Sequence, residues 1–182
     1  AEGGCGACTI VLGELNKNRI IYKAINACIS FLPTLNSKHL ILVEDLIDEN
    51  NKLHPVQEAM VKFHGSQCGF CTPGFAMSLF SMYKNYKSIN KEVVDEVLSG
   101  NLCRCTGYRP IIDAAKSLNN KKDQDQFKKR QNKTISLLRK IKSVDVEINN
   151  RGKRYFAPKT IYNLKKILKK YPNAKILSGG TD

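Results

Sequence analysis

The 182-residue sequence lacks any run approaching 18 consecutive apolar residues, so we predict no transmembrane helix. Its opening residues, Ala-Glu-Gly-Gly-Cys, are polar and glycine-rich, unlike a signal peptide. It contains no internal repeat and no low-complexity segment. Hydrophobic residues make up 42% and charged residues 25% of the chain, as in ordinary globular proteins, which excludes wholesale disorder. The length suits one large domain or two small ones.

Acidic residues are scarce in the last third of the chain. Residues 1–115 carry equal numbers of basic and acidic side chains, so the formal net charge of +14 lies entirely within residues 116–182. A basic cluster at 121–142 raises the question of nucleic-acid binding, but Phe127 is its only aromatic residue. Because lysine-rich solvated helices are common, we predict neither a nucleic-acid partner nor a membrane partner.

The cysteine pattern argues against a secreted disulfide framework. The count is odd, and most of the cysteines fall in tight clusters within the neutral part of the chain. This pattern favours thiolates held for metal in a reducing compartment, so we predict a cytoplasmic protein. The cysteines are Cys5, Cys8, Cys28, Cys68, Cys71, Cys103 and Cys105. The three histidines are scattered singly, and we predict that they pack or cap helices rather than bind metal.

Residues 1–50 are predicted to form a small, loop-rich β module. Two short β-prone stretches, 9–12 and 19–22, flank a predicted turn at 13–18, and residues 39–43 form a further apolar run. Residues 51–118 instead carry the signals of four short helices, each of which begins at a capping residue or at a proline in the first turn. These start signals are Pro55, Thr72–Pro73, Asn90 and Pro110.

The rest of the chain divides into a linker at 119–153 and a final segment at 154–182. The linker is polar at first, and Ile135, Leu138 and Ile141 then indicate a short amphipathic helix. In the final segment we predict a loop at 155–160, a helix at about 161–171 and a buried strand at 174–177. A glycine turn follows that strand directly.

Two cysteine pairs, Cys68-Gly-Phe-Cys71 and Cys103-Arg-Cys105, fall on the two loops between predicted helices. Four thiolates suffice for a tetrahedral zinc site or for an iron–sulfur cluster, and their spacing alone does not separate these two possibilities. In Cys5-Gly-Ala-Cys8, with Cys28 further along, the second, third and fourth positions of a plant-type ferredoxin pattern are matched. The first cysteine of that pattern would fall one residue before Ala1. Taken alone, Cys5 and Cys8 also fit a redox dithiol or half of a zinc site.

Three cysteine motifs follow one another along the chain. They are Ala1-Glu-Gly-Gly-Cys-Gly-Ala-Cys-Thr, His64-Gly-Ser-Gln-Cys-Gly-Phe-Cys-Thr-Pro-Gly74 and Gly100-Asn-Leu-Cys-Arg-Cys-Thr-Gly-Tyr-Arg-Pro110. Together they resemble the iron–sulfur region of the xanthine dehydrogenase/oxidase family of molybdenum hydroxylases. Asn26-Ala-Cys-Ile-Ser-Phe-Leu-Pro33 and His54-Pro-Val-Gln57 resemble the family's bacterial small subunits in particular, and Ser178-Gly-Gly-Thr-Asp182 is similar to its flavin loop.

The resemblance implies an electron-transfer subunit. In the family, a molybdopterin centre on a partner subunit hydroxylates a substrate such as xanthine or hypoxanthine, and electrons pass through two 2Fe–2S clusters to FAD and NAD. Related enzymes oxidise aldehydes, carbon monoxide or N-heterocycles. The implied partner is a molybdopterin-binding large subunit in a heterotetramer or higher assembly, and the implied role is in purine catabolism.

The resemblance also implies an α+β fold and a set of site residues. It divides the chain into a truncated β-grasp 2Fe–2S ferredoxin domain (1–50), a four-helix 2Fe–2S-binding domain (51–118), the linker (119–153) and the beginning of an α/β FAD-binding domain (154–182). The implied ligands of the cluster nearer molybdenum are Cys68, Cys71, Cys103 and Cys105. Those of the plant-type cluster are Cys5, Cys8 and Cys28. The pterin contact is Gln67, and the FAD loop comprises Ile176, Leu177, Ser178, Gly179, Gly180, Thr181 and Asp182.

The sequence departs from the family pattern at both ends. The first plant-type cysteine and the ferredoxin's opening strands are missing, and the flavin domain has barely begun, so we expect a fragment that is inactive alone and binds FAD weakly. A hypothesis from another class is a zinc-stabilised binding module whose basic tail contacts an acidic partner or nucleic acid. That module would be colourless and would contain zinc without sulfide, whereas the electron-transfer protein would contain iron and sulfide.

Overall fold

The computed structural model describes residues 2–119, 125–141 and 144–178. Its N-terminal part is a three-stranded antiparallel sheet of order β2-β1-β3, formed by β1 (Thr9–Asn16), β2 (Arg19–Asn26) and β3 (His39–Ile41). The predicted strands are confirmed, but the turn predicted at 13–18 is confined to residues 17 and 18. Gly13 lies inside β1 opposite Tyr22, where a Cβ would approach His39 Cβ to 3.2 Å. Gly13 therefore permits close strand packing rather than a turn.

The four predicted helices are confirmed. They are α1 (Pro55–Lys62), α2 (Thr72–Asn85), α3 (Lys91–Leu98) and α4 (Arg109–Ser117). Thr72 was wrongly predicted as a cap, because it is the first residue of α2 and follows Cys71, which makes no side-chain cap. His54 caps α1, because its Nδ1 accepts the Val56 N–H at 3.3 Å, and Asn90 caps α3 by accepting the Val93 N–H at 3.0 Å. The predicted capping role is thus confirmed for His54.

Helix α2 forms the centre of the core. Every residue from Gly74 to Tyr83 is buried, and the helix packs against β1, β2, α1 and α3. Phe75, Phe80 and Met82 are fully inaccessible to solvent. A helix that is buried on all sides needs a partner for each polar side chain it carries. Ser81 meets this need by donating to the Tyr22 carbonyl oxygen of β2 at 2.9 Å.

The segment predicted as a linker is in part folded onto this core. It contains α5 (Gln126–Lys129) and the predicted amphipathic helix α6 (Gln131–Lys140), which packs on β1 and β2 through Ile135 and Leu138. The residue that anchors it is Asp125, which precedes α5.

Asp125 is the centre of a buried ionic cluster. Its carboxylate lies 2.8 Å from His54 Nε2 and 3.0 Å from Lys84 Nζ. The three side chains are at most 2% exposed. Asp125 also accepts the Lys128 N–H at 2.7 Å and so caps α5. A charge buried this deeply is tolerated because every partner is present.

The C-terminal part is a β-hairpin followed by a helix. It comprises β4 (Val146–Asn150), β5 (Lys153–Ala157) and α7 (Ile161–Lys170). The loop predicted at 155–160 was wrong over its first half, because residues 155–157 pair with β4. The turn at Arg151–Gly152 has positive φ at both positions, as a two-residue hairpin of type I′ requires.

The strand predicted at 174–177 was also wrong. These residues are exposed and join no ladder within the described part of the chain. The α+β class is confirmed, whereas the β-grasp and FAD-domain assignments remain predictions. Across residues 2–119, 125–141 and 144–178, no helix combines the length and apolar character needed to span a bilayer.

We predict that Asp125→Ala lowers the free energy of unfolding by about 3–5 kcal/mol, because it removes the buried carboxylate that His54 and Lys84 share and the cap of α5. Urea denaturation measures this. The matched control is Asp95→Ala, which removes the carboxylate of the exposed Lys91–Asp95 pair and should cost about 0.5 kcal/mol. Equal losses in the two variants would show that the buried cluster does not stabilise the fold.

We also predict an acid-dependent loss of stability. Although burial raises it, hydrogen bonding to His54 and the charge of Lys84 lower the pKa of Asp125 to about 2. A depressed carboxyl pKa contributes stability above the unfolded pKa of about 3.9, and this contribution disappears as the pH falls through the folded value. The unfolding free energy should therefore drop by about 2 kcal/mol between about pH 4 and pH 2. Asp125→Asn should lack this part of the pH dependence, and identical pH profiles would contradict the assignment.

Candidate metal centre

Two loops at one end of the helical core carry four of the cysteines. Cys68 and Cys71 lie between α1 and α2, and Cys103 and Cys105 lie between α3 and α4. The first loop turns at Gly69, whose φ of +86° is a conformation that favours glycine, and α2 begins directly after Cys71. The proline at the second position of α2 costs no hydrogen bond there, because the first amides of a helix have no partner within it.

The four thiols fall into two interacting pairs, and each pair takes one thiol from each loop. Cys68 affects the pKa of Cys105, and Cys103 affects that of Cys71. Together with Phe70, Leu102, Arg104 and Tyr108, they line a surface cavity of about 440 Å³. The arrangement thus gathers soft donors from two rigidly placed loops around one mostly apolar space. Among the described residues, no three His, Cys, Asp or Glu side chains converge as a site for a single metal ion.

Within each pair, one thiol has a lowered pKa and the other a raised one. Burial raises the pKa of Cys103, but hydrogen bonds from the Thr106 hydroxyl and amide outweigh it and lower the value to about 7. Burial, followed by the hydrogen bond with Cys103, raises the pKa of Cys71 to about 11. The Phe70 amide lowers the pKa of Cys68, and Cys68 in turn raises that of Cys105. Each pair therefore presents one sulfur prepared to lose its proton, as metal ligation requires.

Tyr108 holds the second loop in place. Its hydroxyl oxygen accepts the Cys103 N–H at 2.9 Å, and its ring lies edge-on to Phe75 in the core. The Tyr108 backbone has a φ of +66°, which is rare for a residue with a side chain, and its N–H donates to Thr106 Oγ1 at 3.2 Å. The cysteine spacing alone predicts no role for Thr106 or Tyr108, although both lie in the motif Gly100–Pro110.

The three N-terminal cysteines lie at the end of the hairpin formed by β1 and β2, where β1 begins and β2 ends. The Cys28 N–H donates to Cys8 Sγ at 3.4 Å, and the hydrogen bond with the Cys8 thiol lowers the pKa of Cys28. Cys5 is exposed in the loop before β1, and its carbonyl oxygen accepts the Leu102 N–H at 2.9 Å. The structure thus brings Cys8 and Cys28 together and joins the Cys5 loop to the second helical loop.

The other predicted site residues lie at the surface. Gln67 is exposed beside Cys68. Ile176 is also exposed, and Leu177 and Ser178 line a cavity of about 430 Å³ with Asn26 and Ile29 at the Cys28 end of the hairpin. Gly179, Gly180, Thr181 and Asp182 lie outside the described residues.

Comparison with known proteins places this geometry in a family context. Residues 42–116 match the family described as "[2Fe-2S] binding domain". The chain is 53% identical over 118 residues to a xanthine dehydrogenase of Blastobotrys adeninivorans and 49% identical over 116 residues to xanthine dehydrogenase 1 of Arabidopsis thaliana. It is 44% identical over 117 residues to aldehyde oxidase 1 of Oryctolagus cuniculus. These alignments cover 62–63% of this chain but only 8–9% of each relative.

A solved structure agrees with the sequence matches. The crystal structure of quinoline 2-oxidoreductase from Pseudomonas putida 86 superposes with a TM-score of 0.55 at 34% sequence identity. The match covers 63% of this chain and 65% of that one. The predicted resemblance to the molybdenum hydroxylases is therefore confirmed.

We predict that Tyr108→Phe weakens the second loop, because it leaves the Cys103 N–H without its acceptor. The cost should be about 1 kcal/mol of unfolding free energy, measured by urea denaturation. Tyr86→Phe is the matched control, since Tyr86 is partly exposed at the end of α2, and it should have no measurable effect. A neutral Tyr108→Phe would show that this hydrogen bond does not stabilise the loop.

Proposed function

Because the chain carries the iron–sulfur domain of the xanthine dehydrogenase and aldehyde oxidase family of molybdenum hydroxylases, we propose that it is the electron-transfer part of such an enzyme. Electrons would pass from a molybdopterin centre on a partner subunit, through two 2Fe–2S clusters, to FAD and NAD. The chain spans less than a tenth of the curated relatives, so the activity of the whole enzyme is part of this proposal.

The observation that carries the proposal is the meeting of four thiols as two cross-loop pairs. Cys68, Cys71, Cys103 and Cys105 would hold one 2Fe–2S cluster, with two thiolates available for each of its two irons. The donor set fits, since it consists entirely of soft sulfur ligands. When bound, the cluster supplies one-electron oxidation and reduction. Thr106 Oγ1 lies 3.1 Å from Cys103 Sγ, and its hydroxyl would donate to that sulfur once the sulfur is a thiolate ligand.

A second, plant-type cluster would lie at the end of the β1–β2 hairpin, with Cys5, Cys8 and Cys28 among its ligands. The Cys8–Cys28 contact supports this assignment. Leu177 and Ser178 lie against the same end of the β1–β2 hairpin, and they belong to the predicted FAD loop. This proximity supports an order in which the plant-type cluster lies between the helical cluster and FAD.

The partner would cover the cysteine end of the helical core. Phe70 is 80% exposed and Leu102 56% exposed at the cavity mouth, which is unusual for large apolar side chains. Their position beside the exposed Cys68 and Cys105 supports docking of the molybdopterin-binding large subunit on this face, in a heterotetramer or higher assembly. Gln67, exposed on the same loop, would contact the pterin.

The substrate proposal is xanthine or hypoxanthine, in cytoplasmic purine catabolism, and aldehyde oxidation is the alternative. Relatives that carry either name align with the chain at 44–53% identity. The thiol loops handle electrons alone, and the substrate would bind on the partner. A complex of this chain with its large subunit, assayed with xanthine and with an aldehyde, would separate the two.

We predict that the anaerobically reconstituted chain contains acid-labile sulfide equal to its iron, and that Cys103→Ser removes about two irons per chain. The serine oxygen is a harder donor than the thiolate that it replaces. The control is Ser99→Ala, which changes an exposed hydroxyl just before the loop and should keep all the iron. Zinc without sulfide, or full iron retention in Cys103→Ser, would contradict the proposal.

A further inference from the structure

The two cysteine-bearing regions touch each other through bare backbone. A Cβ built on Gly74, in the first turn of α2, would collide with the carbonyl oxygen of Gly6, which lies between Cys5 and Cys8. A Cβ built on Gly6 would collide with the carbonyl oxygen of Gly100, and Gly6 has a φ of +67°. Only glycine permits so close an approach at these positions. The N-terminal loop therefore lies directly against the first turn of α2 and against the second helical loop.

Asn101 fastens this contact with hydrogen bonds. The residue is 3% exposed, and its Nδ2 donates to the Gly6 carbonyl oxygen at 3.0 Å and to Thr9 Oγ1 at 3.3 Å. Its Oδ1 accepts from Ser78 Oγ of α2 at 2.6 Å. One buried amide thus ties the N-terminal loop, the second helical loop and α2 together. Breaking it would leave polar groups unpaired in the interior.

A further hydrogen bond joins the two sets of cysteines almost directly. The Leu102 N–H donates to the Cys5 carbonyl oxygen at 2.9 Å, and Leu102 is covalently bonded to Cys103. Cys5 and Cys103 are therefore separated along this path by one residue and one hydrogen bond. This short link is flanked by the buried residues Gly6 and Asn101. The two loops therefore have little freedom to change their separation.

We propose that Gly6, Gly74 and Asn101 form an inter-loop bracket that sets the distance between the two cluster sites. The inference rests on the proposed function, since it assigns one cluster to each side of the bracket. The three residues act as positioning residues, because none of them supplies a metal ligand. The bracket lets the clusters approach as closely as two backbones can, and electronic and magnetic coupling between paramagnetic centres falls steeply with distance.

The test compares Gly74→Ala with Gly100→Ala in the reconstituted full chain. The new methyl group at position 74 must push the N-terminal loop away from α2, whereas a Cβ at Gly100 meets no atom within 4 Å. Alanine also favours the helix at position 74, so the helical cluster should form in both variants. Low-temperature EPR of the dithionite-reduced protein reports the spin–spin interaction between the clusters, alongside iron and sulfide content.

With a free thiol supplied during reconstitution as the fourth ligand beside Cys5, Cys8 and Cys28, the expected result is about four irons per chain and a spin–spin splitting in the wild type and in Gly100→Ala. Gly74→Ala should lose that splitting. Asn101→Ala provides a second variant should Gly74→Ala fail to fold by circular dichroism, and it should also weaken the splitting. An unchanged splitting in both Gly74→Ala and Asn101→Ala would overturn the bracket and leave the proposed function intact.

Two further outcomes separate the proposals. About two irons and a single uncoupled signal in the wild type would overturn the bracket, because only one cluster would form, while the helical cluster would stand. Absence of sulfide-linked iron in the wild type would overturn the proposed function itself.

Discussion

The burial of α2 on every side is the constraint on which the rest of the structure depends. A helix in that position cannot leave a polar group unpaired, so each of its polar side chains becomes a fixed attachment point for another part of the chain. Ser78 donates to Asn101 beside the second cysteine loop, and Ser81 donates to Tyr22 of β2. Lys84 pairs with Asp125 of the segment after α4. The same helix begins directly behind Cys71. One element therefore positions both cysteine loops, the N-terminal sheet and the following segment.

Local chemistry explains why much of the fold could be predicted from the sequence. Pro55, Thr72, Asn90 and Pro110 mark helix starts through interactions within a single turn, and the structure places helices at all four. Features set by distant contacts were missed. Gly13 suggested a turn but serves strand packing, and Asp125 looked like part of a solvated linker because its partners His54 and Lys84 are 71 and 41 residues away. The β4–β5 hairpin carried a local signal, the Arg151–Gly152 turn, that was overlooked.

The candidate site divides in the same way. The number and spacing of the cysteines were enough to predict them as metal ligands, because metal ligation requires clustered thiols. Their pairing across loops could not be read from spacing, since it depends on how α1 to α4 pack. The contact between Gly6 and Gly74 could not be predicted from the sequence either. A glycine indicates a turn there whether or not another backbone lies against it. Tyr108 belongs to the same group, since its hydrogen bond to Cys103 depends on an unusual backbone conformation.

The anchoring of α5 and α6 has a consequence for the C-terminal hairpin and α7. A polar stretch of this length would ordinarily act as a flexible tether, and a unit on such a tether loses conformational entropy each time it docks. Here the Asp125 ion pair and the contacts of α6 with β1 and β2 fix α5 and α6 to the core. Only a short connection remains between Lys140 at the end of α6 and Val146 at the start of β4. Most of that conformational entropy is therefore lost when the chain folds. The C-terminal unit then lies near the β1–β2 hairpin before it docks there.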